Sequence, residues 1–153
     1  MILTNKAVLR AAVAQVKAMP GYEGQKVYTE RQVQNLTRPC FFVQQIHTGQ
    51  TKLMRSKYRR VYRIRITWLP KRDDPTPIAS CEATGDALLA EFRLLELDDF
   101  PARPENVEYE VVEQELRFTM EVPVRADWPE PDEPDMQHLT INERMRLKNE
   151  RSE

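Results

Sequence analysis

At 153 residues, 41% apolar and 31% charged, the chain is sized for one globular domain with a modest core. No run nears the roughly 18 apolar residues that a membrane span needs, and no basic–apolar–small leader pattern opens the chain, so a membrane partner and a secretory signal are not expected. The net charge of −1 conceals a sorted chain: residues 1–72 carry fifteen Lys and Arg against Glu23 and Glu30, a net of +13, and residues 73–153 carry eight against twenty-two acids, a net of −14.

In chain order, Thr4 stands where a helix N-cap belongs, and Leu9, Ala12, Val13 and Val16 follow at helical spacing. Met19-Pro20-Gly21 stops that helix near residue 18 or 19. Residues 26–30 predict a short strand, and 40–47 a second one, apolar on both faces at its start and therefore central. Thr48-Gly49-Gln50 reads as a turn. Residues 52–69 then form the clearest strand, with Tyr58, Tyr62, Ile64, Ile66 and Trp68 on one face. Lys57, Arg59, Arg63, Arg65 and Thr67 fall on the other face, and Arg60 is the one charge on the apolar side.

Pro70 ends this strand, and the charge changes sign in the loop Lys71-Arg72-Asp73-Asp74-Pro75. Cys81, Leu88, Phe92 and Leu95 predict a helix over 80–97, with Gly85 as its weak point. Val107, Tyr109 and Val111 alternate, as do Leu116, Phe118, Met120, Val122 and Val124, which makes a hairpin with Glu113-Gln114 at its tip. Its outward positions include Glu108, Glu110, Glu115 and Glu121. Residues 128–135 form an acidic, proline-rich linker expected to be extended, able to span roughly 25 Å. Leu139, Ile141, Met145 and Leu147 beyond it suggest a final strand, with a short helix from Asn142 as the competitor. Such an arm is suited to adding to a neighbour's sheet edge.

Three readings fit the charge sorting. A nucleic-acid partner or charged tail is one. A head-to-tail self-assembly that closes into a ring is the second. The third places basic and acidic strands side by side in one sheet, where opposite charges stabilise cross-strand pairs.

Catalytic chemistry finds no support. His47 and His138 lack Cys, Asp or Glu partners at a metal-ligand spacing, and four glycines leave no phosphate-cradling loop. Cys40 and Cys81, far apart and in apolar surroundings, read as free buried thiols in a reducing compartment. Asp73-Asp74 and Asp98-Asp99 read as solvated loop acids. The arginines of 52–69 lie opposite the aromatics, whereas a nucleic-acid platform needs both on one surface. Neither an enzyme, a cofactor nor a metal is expected.

The order of these elements resembles the tail terminator proteins of tailed phages and phage-like particles, in particular those of contractile-tailed systems. The features that carry it are the helix from Thr4, Val27-Tyr28-Thr29-Glu30, and Arg38-Pro39-Cys40-Phe41-Phe42-Val43. Tyr58-Arg59-Arg60-Val61-Tyr62-Arg63-Ile64, Leu88-Leu89-Ala90-Glu91-Phe92 and Leu116-Arg117-Phe118 complete the series, over about residues 3–125. The arginine density of the central strand and the acidic linker depart from a typical member.

The resemblance implies an α+β fold: a mixed, mainly antiparallel sheet packed against two helices, with an extended C-terminal arm. With the linker read from composition, the chain divides into a terminator-like domain at 1–127, the linker at 128–135 and an arm at 136–153. It also implies a homohexameric virion ring that caps the tail tube, ends its polymerisation and docks the head–neck connector. The expected partners are the chain itself, the tube protein and the connector, with the tail sheath as a further candidate and DNA only as passing genome. The expected location is the tail–neck junction after synthesis in the host bacterial cytoplasm. Rival readings are a neck or head-completion ring and a sequence-nonspecific nucleic-acid-binding protein. The expected assembly interface comprises Lys57, Arg59, Arg63, Arg65, Glu108, Glu110, Glu121, Leu139 and Ile141.

Overall fold

The structure, a computed structural model, describes residues 4–30, 35–98 and 100–127. Helix α1 spans Asn5–Lys17, and Thr4 caps it by accepting the Ala7 N–H on its hydroxyl at 3.1 Å. Val8, Ala12 and Val16 recur every four residues and are buried, with Leu9 and Val13 on the flanks of the same stripe.

The sheet contains β1 (Lys26–Tyr28), β2 (Cys40–Met54), β3 (Lys57–Leu69), β6 (Glu105–Val112) and β7 (Glu115–Asp127), in the order β1-β2-β3-β7-β6. Only β1 and β2 run parallel. Helix α2 (Pro77–Glu91) follows β3, and β4 (Leu95–Glu96) pairs with β5 (Pro101–Ala102) in a separate two-stranded ribbon. Both helices bury their apolar residues in one cluster with Tyr62, Ile64, Ile66, Phe118 and Met120, so both cover the same sheet face. The fold is thus α+β, a mixed and mainly antiparallel sheet against two helices. The expected linker at 128–135 and the arm with Leu139 and Ile141 lie outside the described residues.

Several elements differ from the sequence reading. Thr48-Gly49-Gln50 is not a turn but the middle of β2, paired with Tyr62, Val61 and Arg60. The chain reverses instead at Arg55-Ser56, where Arg55 takes φ 51°. The expected 52–69 strand is therefore the end of β2, a turn and β3. Bulges between Gln45 and His47 and between Lys52 and Met54 disguise this, because each extra residue resets the alternation without breaking the strand.

Helix α2 stops at Glu91 rather than 97. Leu95 still reaches the core, but from β4, so its helical spacing after Leu88 is coincidental. The hairpin tip at Glu113-Gln114 is as expected, with both residues left-handed at φ 51° and 63°. Pro123 is tolerated in β7 because β6 pairing ends at Glu105–Glu121, leaving that stretch on an edge. Gly85 sits where a Cβ would lie 2.7 Å from the Tyr109 ring, so α2 meets β6 through a residue without a side chain.

Candidate functional site

The sheet face opposite the helices is polar over most of its area. At one end, Cys40, Phe42 and Leu69, with Tyr28 and Leu36 against them, form a small second cluster. Beyond it the face is charged, because β3 alternates and its neighbour β7 presents Glu121 and Asp127 opposite Arg63 and Lys57, with Arg125 opposite Arg59.

Arg63 stands opposite Glu121, and its Nη2 donates to Oε2 at 2.7 Å. Asn106 Nδ2 donates to the other oxygen at 2.7 Å. These hydrogen bonds, Arg63 first, hold the Glu121 carboxyl below the usual carboxylate range. Lys57 stands opposite Asp127 and pairs with it at 3.0 Å, and Arg59 reaches across to Glu105 at 2.9 Å. The Lys57–Asp127 and Arg59–Glu105 pairs are exposed on both sides and the Arg63–Glu121 pair on the arginine side, so each contributes about 0–1 kcal/mol.

Arg65 differs. It faces Thr119, which in turn faces Glu108, and its Nε is buried without a hydrogen-bond partner among the described residues. Arg65, Glu108, Glu110 and Arg117 line a shallow concavity of the face, and Ile46, 40% exposed, borders a neighbouring one. The carboxylates of Glu108 and Glu110 have no ion-pair partner among the described residues.

The structure therefore brings Lys57, Arg59, Arg63, Arg65, Glu108, Glu110 and Glu121 onto one face of one sheet. Much of the charge sorting folds flat, with β3 beside the acidic β6–β7 hairpin. Sequence reasoning missed Glu105 and Asn106, because the bulge between Glu105 and Glu108 shifts them off the alternation. Asp127 was legible in principle, since extending the β3–β7 register by three residue pairs from Arg60–Val124 reaches it opposite Lys57.

Other candidate groups have structural roles. Asp74 accepts the Thr76 N–H at 2.8 Å and the Ser80 hydroxyl at 2.7 Å at the start of α2, where the Thr76 side chain makes no capping hydrogen bond. The Ser80 bond, then that of Thr76, lowers its pKa. Burial, and next the nearby Asp74 carboxylate, push the Cys81 thiol upward, which makes it a poorer nucleophile. Among the described residues no group of three or more His, Cys, Asp and Glu could hold a metal ion. No described helix is long and apolar enough to cross a membrane.

A family model described as phage tail terminator protein matches residues 8–135. No curated protein matches the chain significantly. The match takes in α1 from Val8 onward, all of α2, the seven strands of the described residues and the proline-rich stretch through Asp135, and by it the chain belongs to the phage tail terminator family, with a structural role in the phage tail.

Proposed function

We propose that the protein is the terminator ring of a phage tail: a homohexamer that caps the finished tube, ends its polymerisation and offers its far side to the head–neck connector. The observation that carries this reading is the open sheet face. Among the described residues Arg65 keeps a buried, unpartnered Nε there, and Glu108 and Glu110 lack ion-pair partners, beside residues whose charges are already matched within the subunit. A buried donor without an acceptor costs about 1–3 kcal/mol, a cost that a carboxylate or carbonyl from a bound protein removes.

The mechanism is steric and electrostatic. The ring occupies the tube's end with a surface that cannot seed another layer, and charge complementarity selects the partner and speeds its encounter. DNA enters this scheme only as the genome passing through. The test is native mass spectrometry of the full chain, alone and with tube protein. The reading expects hexamers whose population falls as salt rises toward about 1 M, where screening is strongest. A monomer at every protein and salt concentration, with tube protein also present, would overturn it.

A further inference from the structure

Two different surfaces of the molecule have complementary form and charge. The first is the β2–β3 hairpin tip. Thr48 meets the start of α1, its hydroxyl donating to Asn5 Oδ1 at 3.0 Å. From there β2 runs five residues further to Leu53, roughly 17 Å at about 3.3 Å per residue. The bulge between Lys52 and Met54 leaves Leu53 without a partner across the ladder. Leu53 is 46% and Met54 64% exposed, and the exposed Lys52 and Arg55 flank them. Two large apolar side chains on a projecting basic tip are contact anchors, and an unbranched Met adapts readily to a partner's shape.

The second surface is a groove of about 540 Å³ between α1 and the chain that follows α2. Ala7, Ala11 and Ala14 line one wall, and Leu94, 36% exposed, lines the other. Gln15 ties the walls together: its Nε2 donates to the carbonyls of Glu91 at 3.0 Å and Leu94 at 2.8 Å, and its Oε1 accepts the Glu96 N–H at 3.2 Å. The groove is thus preformed. Glu91, Glu96 and Asp98 lie along it against Arg10 alone, and none of these acids has an ion-pair partner among the described residues.

We propose that the hairpin tip of one copy seats in this groove of the next, with Leu53 and Met54 against the alanine wall and Leu94, and Lys52 and Arg55 facing the three carboxylates. The two patches are different, so the contact is heterologous and closes into a ring when each copy turns by a sixth of a revolution. This rests on the ring reading above and names the contact that builds it.

The test uses two full-length variants: Leu53→Asp with Met54→Asp at the tip, and Glu96→Lys with Asp98→Lys at the groove. All four positions are exposed, and circular dichroism verifies the fold. By native mass spectrometry each variant alone loses assembled species by about tenfold or more. An equimolar mixture retains one working contact and gives 1:1 dimers but no ring. A chain carrying Lys52→Glu and Arg55→Glu together with Glu96→Lys and Asp98→Lys regains the ring. Rings formed by both variants as by the parent chain would overturn this contact and leave the ring reading standing. Folded variants that stay monomeric when mixed would also overturn it. A parent chain that is monomeric throughout would instead remove the ring reading itself.

Discussion

Replacing Gly85 with Ala probes how α2 is seated on the sheet. The new Cβ would lie 2.7 Å from two carbons of the Tyr109 ring and 2.8 Å from a third. Ordinary carbon contacts are about 3.5–4.0 Å, so the ring must retreat by roughly 1 Å. It is not free to do so without loss, because its hydroxyl donates to Asp86 at 3.1 Å and β6 holds its backbone against β7. Ala gains about 1 kcal/mol over Gly in a helix interior, whereas crowding of this kind costs about 1–3 kcal/mol. The expected net is a loss of about 1 kcal/mol, or a melting midpoint lower by about 3 °C. With Tyr109→Ala in the background the clash is gone, and the same Gly85→Ala change should stabilise by about 1 kcal/mol. Urea unfolding of the four proteins gives a coupling of about 2 kcal/mol. A Gly85→Ala chain more stable than its parent, with Tyr109 in place, would refute this account of the α2–β6 contact.

Asp74 and Glu121 hold depressed carboxyl pKa values through their hydrogen bonds, so their stabilisation is full above the ordinary carboxylate range and is lost as pH falls through about 4 and below. Thermal midpoints should therefore drop on acidification, less steeply in Asp74→Asn with Glu121→Gln; equal slopes would remove these two groups from the account. Cys40 and Cys81 are both buried, so a thiol reagent at mildly alkaline pH should label neither until the protein unfolds, and labelling of the native chain would contradict that. Arg65→Met removes the buried unpartnered N–H and should leave stability unchanged or raise it by up to about 1 kcal/mol in urea, while weakening the hold on tube protein. A large stability loss would show that Arg65 is already paired. Deleting residues 129–153 should leave the thermal midpoint nearly unchanged, since both hydrophobic clusters lie between Val8 and Val124, and should weaken assembly; collapse of the midpoint would assign the arm to its own subunit.

The legible part of the fold was the part with an uninterrupted period. Helix α1 and strands β3 and β7 each present a buried stripe, and β6 a half-buried one from Val107 onward, and these stripes are visible in the sequence. Arg60 looked anomalous on the apolar face, and the structure resolves it: its guanidinium lies 5.9 Å from the Tyr62 ring centroid and hydrogen-bonds to Gln50. The errors arose where one residue changes the phase. Bulges in β2 hid the Arg55-Ser56 turn behind a misleading Gly49, and Leu95 kept a helical spacing after the helix had ended. The alternation placed the charged face correctly, but its pairings needed the strand order. Lys57 and Asp127 are far apart in sequence and meet only because β7 lies beside β3. The groove was invisible for the same reason, since α1 acquires its second wall from residues 91–98.

The most direct test of the terminator account is electron microscopy of tail tubes polymerised from purified tube protein with and without this chain. The account predicts tubes that stop growing when the chain is present, each with a six-copy ring at one end. Tubes that lengthen as before, with the chain absent from their ends or bound along their sides, would contradict it.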